Sequence, residues 1–392
     1  MKKVIGLALA VLATSVVAAT ARGGPAVEAS PQASQALSCK SKLKLAFLTP
    51  LTGDAGFLGT EQLTWGKYAV KTLSKKLGLK VTLLAGDTQL DPSLASSLAQ
   101  KYVADKSVIA IIGPSTSGAV VATSPTFFKA GLAHISPSAT RTSLTKGSNR
   151  EATAGFFRVV PDDGIQGPGD ARFMVDKLKV KKVVLIDAQE PYSIGLADAT
   201  QAYLKAKGVT TIRESVSVAQ SDFSSIVTKV PSDTDIVFAP FQQPPKAQTL
   251  AQQLIEQGKK AKVFGGDGTN DPDKFKVPGS YVSNFAAPID LFPYNKAIIA
   301  GWQKDNPDAK LGSFGPPTYG AVQVALSAIS KACARGGGKV DRRAVLRNVK
   351  SVRIKNWILG GNFRFSTKTN DPLNGKFYIF QIQSNGSYKL VE

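Results

Sequence analysis

From Lys42 onward the sequence predicts an α/β protein of two lobes, each a parallel sheet flanked by helices. Two observations carry this. Short apolar runs alternate with amphipathic stretches of helical period in β-α-β order, and the alternation is written twice before consecutive helices take over. With 392 residues and 43% hydrophobic composition, the chain exceeds the ~150 residues of one domain and can bury two cores.

The first series runs from strand Leu43–Leu48 through a helix over about Gly59–Leu77 to strand Val81–Ala85, then a helix opening at Asp91-Pro92. Strand Val108–Ile112, helix Gly118–Ala130 and strand Ala133–Ser136 follow. Phe156–Gly169, with Pro161-Asp162-Asp163-Gly164, reads as an extended crossover. The second series is strand Val183–Ile186, helix Gly195–Lys207, strand Thr211–Val218, helix Phe223–Val230, strand Ile236–Ala239, helix Lys246–Gln257 and strand Lys262–Phe264. Past Tyr281 come helices Tyr294–Asn306, Thr318–Ala334 and Asp341–Val349, then β-like segments Asn362–Phe365 and Lys376–Ile382, expected to return between the lobes. Repeated crossing makes a hinge, and a cleft at a domain interface is a favoured small-molecule site.

The N-terminus has the pattern of a secretory signal peptide: Lys2 and Lys3, an apolar run Val4–Ala19, and small residues at Ala19-Thr20-Ala21. Residues 22–38, rich in Ala, Ser, Gly and Pro, read as a disordered leader. The chain has two cysteines, and in an exported protein Cys39 and Cys333 can pair; lipidation of Cys39 after the imperfect lipobox Ala36-Leu37-Ser38 is the alternative. The formal charge of +21 suits acidic partners, but the basic residues fall in pairs and triplets at element ends without interleaved aromatics. No nucleic-acid partner is expected, and the charge reads as solvated surface.

The chemistry for catalysis is sparse. His134 is the single histidine, set in an apolar strand as a partly buried structural residue, so neither a histidine triad nor a His-rich metal site can form. Gly53–Gly59 has the wrong glycine spacing for a dinucleotide fingerprint. Ser143-Leu144-Thr145-Lys146 lacks the companion motifs of a serine–lysine nucleophile, and Asp162 with Asp163 reads as a solvated turn pair. No enzyme, cofactor or metal is expected.

Binding chemistry is better represented. Gly113-Pro114-Ser115-Thr116-Ser117-Gly118 places hydroxyls and free amides at a helix N-terminus, which favours a carboxylate; plain N-capping is the simpler reading. Ser136-Pro137-Ser138-Ala139-Thr140 should emerge at the same sheet edge. In the second series, Gly265-Gly266-Asp267-Gly268 would let backbone approach closely and turn Asp267 toward the cleft, where it could meet an ammonium or serve as a turn aspartate. Tyr192 lies in a strand-to-helix loop and could cover a ligand, or be an ordinary loop aromatic.

Leu51-Thr52-Gly53 to Gly59, the two Ser/Thr loops, Gln166-Gly167-Pro168, Tyr192 with Gly195, and Gly265–Gly268, in that order and spacing, resemble the periplasmic branched-chain amino acid binding proteins of ABC transporters. The resemblance covers nearly all of the mature chain. It implies the type I periplasmic binding protein fold, two Rossmann-like lobes joined by a multi-strand hinge, with lobe 1 at 39–157, lobe 2 at 158–284, a return to lobe 1 at 285–350 and the last crossover and remaining lobe 2 at 351–392. It also implies roles: Ser117 and Thr140 hold a ligand carboxylate with the backbone of Ser138, Asp267 takes the ammonium, and Tyr192 closes from the second lobe. Leu58 stands where relatives carry an aromatic, and Gln242 in Phe241–Pro245 replaces a Gly/Tyr loop; both bear on side-chain specificity. The implied protein is an extracytoplasmic monomer that closes on an amino acid, branched-chain or related, and delivers it to a membrane permease; the alternatives are the same fold binding an amide, urea-like or aromatic carboxylate solute, or acting as a ligand sensor for a separate receptor. The family's early disulfide has no counterpart, since Leu90 and Thr116 are not cysteines.

Overall fold

The computed structural model describes residues 36–373 and 375–392; the expected signal peptide and most of the expected leader lie outside them. After β1 (Leu37–Ser38), the first sheet is assembled from β2 (Leu43–Thr49), α1 (Gly56–Lys76), β3 (Val81–Asp87), α2 (Pro92–Ala104), β4 (Val108–Ile112), α3 (Ser117–Lys129), β5 (Ala133–Ser136) and β6 (Phe156–Arg158). Its five strands are parallel, in the order β3-β2-β4-β5-β6. β4 and β5 are buried along their whole length, which is why they read as unbroken apolar runs.

The second sheet follows from α4 (Asp163–Asp176), β7 (Lys182–Asp187), α5 (Pro191–Ala206), β8 (Thr210–Ser215), α6 (Ser224–Lys229), β9 (Ile236–Phe238), α7 (Pro244–Glu256), β10 (Lys262–Gly265) and β11 (Tyr281–Asn284). The chain then returns to pack α8 (Lys296–Asp305) and α9 (Gly315–Arg335) on the first lobe, followed by β12 (Lys339–Val340), α10 (Arg342–Val349), β13 (Arg353–Ile354) and β14 (Phe363–Arg364). It finishes with β15 (Tyr378–Ile382) and β16 (Tyr388–Leu390), antiparallel strands at the edge of a seven-stranded sheet ordered β16-β15-β11-β10-β9-β7-β8. Three segments therefore cross between sheets, after β6, after β11 and after β14.

The first lobe's core joins β2, β4 and β5 to α1, α8, α9 and α10, with Trp65 and Trp302 stacked at 4.6 Å. Arg158, fully buried at the first crossover, ties it to the third: Nε donates to Asp371 at 2.7 Å, Nη2 to Thr145 Oγ1 at 2.6 Å and Nη1 to the Arg141 carbonyl at 2.8 Å. Every polar arm of a buried guanidinium is thereby occupied, as its desolvation demands. Cys39 and Cys333 form a disulfide with Cα atoms 6.0 Å apart, fastening the first described segment to α9. Among the described residues no helix is long and apolar enough to cross a membrane.

Several sequence expectations need correction. Leu37–Ser38, placed in the leader, pair antiparallel with β12 beside the disulfide. Residues 163–169, read as extended crossover, are the first two turns of α4; Gly164, Gly167, Pro168 and Gly169 hid them, yet Asp162 caps the helix through Gly164 N. Helix α5 begins at Pro191 rather than Gly195, with Glu190 accepting from the amides of Tyr192 and Ser193, so Tyr192 sits in a helical first turn rather than a loop. Helix α9 likewise begins before Thr318, because Pro316 and Pro317 occupy a first turn that needs no N–H partner. His134 is completely buried; desolvation holds its imidazole down at about 4, and Nε2 lies 2.8 Å from Ser124 Oγ.

Candidate functional site

At the carboxyl edge of the first sheet, β4 and β5 release the two hydroxyl-rich loops side by side. Beneath them lies buried Gln62 of α1. Its Oε1 accepts from Thr49 Oγ1 and Ser115 Oγ at 2.8 and 2.7 Å, and its Nε2 donates to Ser138 Oγ at 2.9 Å. Ser138 Oγ in turn donates to the Ser115 carbonyl at 2.7 Å, so the hydroxyls of Ser115 and Ser138 are spent on bracing the loops and only backbone remains for a ligand. Ser136 is spent similarly, donating to the Pro114 carbonyl and accepting from Ala139 N.

Two hydroxyls remain available. Ser117, first residue of α3 and 1% exposed, accepts at Oγ from Arg141 N at 3.2 Å and keeps its own proton. Thr140 Oγ1 is buried with no hydrogen-bond partner among the described residues. With the unpaired first amides of α3, they form a donor-rich end whose helix dipole favours negative charge.

The second lobe presents the opposite chemistry. Tyr192 Oη donates to Asp267 Oδ1 at 2.8 Å and accepts from Gly268 N at 3.1 Å. The flanking glycines are required by protein rather than ligand contacts: a Cβ at Gly266 would lie 2.4 Å from Tyr192 Oη, and one at Gly268 would lie 2.5 Å from the Phe241 carbonyl and 3.0 Å from Gln242 Cα. Gln242 is thus buried against the Asp267 turn. Burial raises the Asp267 carboxyl to about 6, opposed by the Tyr192 hydrogen bond.

Asp162 and Asp163, expected as a solvated turn pair, are both buried. Asp163 opens α4 and its N–H donates to the Thr140 carbonyl at 2.9 Å, which fixes it against the first lobe's second loop. Neither of its carboxylate oxygens has a partner among the described residues. Burial, reinforced by the neighbouring negative charge of Asp267 and opposed by the nearby Thr140 hydroxyl, drives its carboxyl well above the ordinary aspartate range. Further along α4, Gln166 Nε2 donates to Ser283 Oγ, which donates to Asp170 Oδ2, both at 2.9 Å; Gln166 Oε1 and Asp170 Oδ1 are left unpaired. Burial raises Asp170 as well. The spacing Asp163-x-x-Gln166 was the available signal, since i and i+3 share a helix face.

Leu58 is buried one turn before Gln62, in an apolar cluster with Val160, Phe285, Ala286 and Phe314 at the crossovers. Phe57 beside it and Asn270–Asp271 beyond the Asp267 turn line a cavity of about 580 Å³ shared by both lobes. The structure therefore brings Ser117, Ser138 and Thr140 together, and Tyr192, Asp267 and Gln242 together; Asp163 joins the groups, and Leu58 lies toward the hinge.

Two α/β lobes with loops from both sheets turned toward each other are the arrangement of a two-lobed ligand-binding protein. The model of the periplasmic binding protein family matches residues 42–387, and the chain belongs to that family. A Leu/Ile/Val-binding protein of Rhizobium johnstonii is 28% identical over 317 residues, covering 79% of this chain and 83% of its own. An amino acid binding protein of Pseudomonas aeruginosa is 27% identical over 356 residues, covering 86% and 90%. Among solved structures, a leucine-binding protein of Thermotoga maritima superposes with TM-score 0.79 at 22% identity, over 89% of this chain and 98% of that one. A solute-binding protein of R. palustris in complex with benzoate superposes with TM-score 0.77 at 17% identity, over 90% and 96%.

Proposed function

We propose that this chain captures an amino acid, of the branched-chain class or close to it, between its lobes and presents it to an ABC transporter permease. The observation that carries the reading is the polarity of the cleft. Ser117, Thr140 and the α3 amides form its donor end, while Asp163 and Asp267 place buried, electron-rich oxygens beside them. A zwitterion matches both ends: the carboxylate takes the hydroxyls and amides, and the ammonium takes the aspartates. Tyr192 holds Asp267 in place, and the apolar surface around Leu58 receives the side chain. Closure is driven by the ligand because the closed state alone lets one molecule touch both lobes.

The relatives named for Leu/Ile/Val and amino acid binding support this reading. The benzoate-bound neighbour supports a second one, an amine-free carboxylate. Against it, an amine-free acid leaves the acidic end of the cleft, Asp163 and Asp267, without the cation that would stabilise their charged forms. The protein acts without catalysis, as an exported monomer.

The test is a thermal-shift screen of the protein from Ala36 onward, which keeps the Leu37–Ser38 strand, against the standard amino acids and a panel of aromatic acids. Binding to the native state raises the melting temperature. A shift with Leu, Ile or Val that Ser117→Ala and Asp267→Ala diminish supports the proposal; shifts confined to benzoate-like acids overturn the ligand class.

A further inference from the structure

Arg141 follows Thr140 in the first lobe, and its guanidinium is divided between the lobes. Nε and Nη2 fork onto Glu151 of the same lobe at 2.6 and 3.0 Å, and Ser143 Oγ adds a 2.6 Å hydrogen bond to that carboxylate. The remaining arm, Nη1, crosses the cleft to the Pro191 carbonyl at the start of α5, at 2.5 Å. Gly195, on the next turn, leaves the space: a Cβ there would lie 3.1 Å from Nη1 and 3.3 Å from Arg141 Cγ. The same Cβ would lie 3.6 Å from Asp163 Oδ2, so the guanidinium stands beside the unpaired carboxylate of the site. Nearby, a Cβ on Gly118 at the start of α3 would touch the Pro191 ring at 3.6 Å.

We infer that Arg141 is a positioning residue for ligand capture, a latch on the first lobe that engages the Pro191 carbonyl of the second only when the cleft is shut. Glu151 holds the guanidinium plane so that one arm stays aimed at the cleft in either state, which limits the rotamer entropy lost on closing. A charged donor meeting a carbonyl, here in a part-buried contact, is among the stronger hydrogen bonds. Because the bond exists only in the closed conformation, which the ligand-free protein also samples, it acts on how long the closed state lasts rather than on encounter.

The inference rests on the amino-acid reading, and two measurements separate their failures. In stopped-flow binding of L-leucine, Arg141→Ala and Arg141→Lys are expected to speed dissociation about tenfold and leave association within about twofold. Lysine keeps the charge, but one ammonium cannot fork onto Glu151 and reach Pro191 together, so it does not rescue. Equal effects on both rates, or full rescue by lysine, overturn the latch. Small-angle scattering of wild type and Arg141→Ala without ligand supplies the second measurement, with a larger radius of gyration expected for the variant. If wild type gives no leucine signal, the amino-acid reading falls and scattering alone decides the latch; identical profiles overturn it.

Discussion

Asp267→Asn separates what the site costs the fold from what it gives the ligand. The carboxyl titrates at about 6 in the folded protein against 3.8 for an unburied aspartate. A raised carboxyl pKa means that the folded state holds its proton longer, so stability declines as pH rises from near 3.8 to about 6 and stays lower above that. At 1.36 kcal/mol per pH unit the burden in the ligand-free protein is on the order of 3 kcal/mol above that window. Asparagine keeps an oxygen for Tyr192 and carries no charge to desolvate, so the variant should melt a few degrees higher than wild type at about pH 8. Most of that advantage should vanish by about pH 4, where the folded carboxyl is neutral. The same variant should bind L-leucine about 10- to 200-fold more weakly, the loss of a charge-assisted contact of about 1.5–3 kcal/mol. Differential scanning fluorimetry at both pH values, with and without leucine, reads both effects. A variant less stable than wild type at the higher pH, or one that binds leucine unchanged, refutes the reasoning.

Other outcomes follow from the same geometry. Leucine affinity of the wild type should fall as pH drops through about 6, because protonated Asp267 no longer pairs with an ammonium; calorimetry across that range checks it. Ser117→Ala and Thr140→Ala should each weaken leucine about tenfold while leaving the melting temperature of the ligand-free protein within a degree or two, read by the same titration. Arg158→Met should cost about 3–5 kcal/mol in urea unfolding, since Asp371 would be left buried and unpaired between two crossovers. Reducing the Cys39–Cys333 bond, which closes a separation of 294 residues, should cost about 2–5 kcal/mol yet leave leucine affinity unchanged, because the bond lies at α9 and not in the cleft.

The strands and most helices were legible because buried parallel strands such as Val108–Ile112 leave nearly continuous apolar runs, and caps such as Asp91-Pro92 announce themselves locally. Helix α4 was not legible: its first turns hold three glycines and a proline, and packing rather than propensity makes them helical. That miss concealed Asp163, whose significance depends on burial and on facing Thr140 across the crossover, neither of which a local pattern carries. Ser117, Thr140, Tyr192 and Asp267 were found through motif order, but the division of labour among hydroxyls was not. That Ser115 and Ser138 are occupied by Gln62, two long-range contacts from α1, follows only from the assembled sheet edge. Nothing local marks Arg141, whose role rests on its third arm crossing to the Pro191 carbonyl.

The central claim is that the cleft is built for a molecule carrying an ammonium as well as a carboxylate. Isothermal titration of L-leucine against 4-methylpentanoate, the same molecule without its amine, tests it most directly. Leucine is expected to bind and the amine-free acid to bind at least about 100-fold more weakly, since Asp163 and Asp267 would then stay buried without a cation to pair with. Equal affinity, or preference for 4-methylpentanoate, would contradict it.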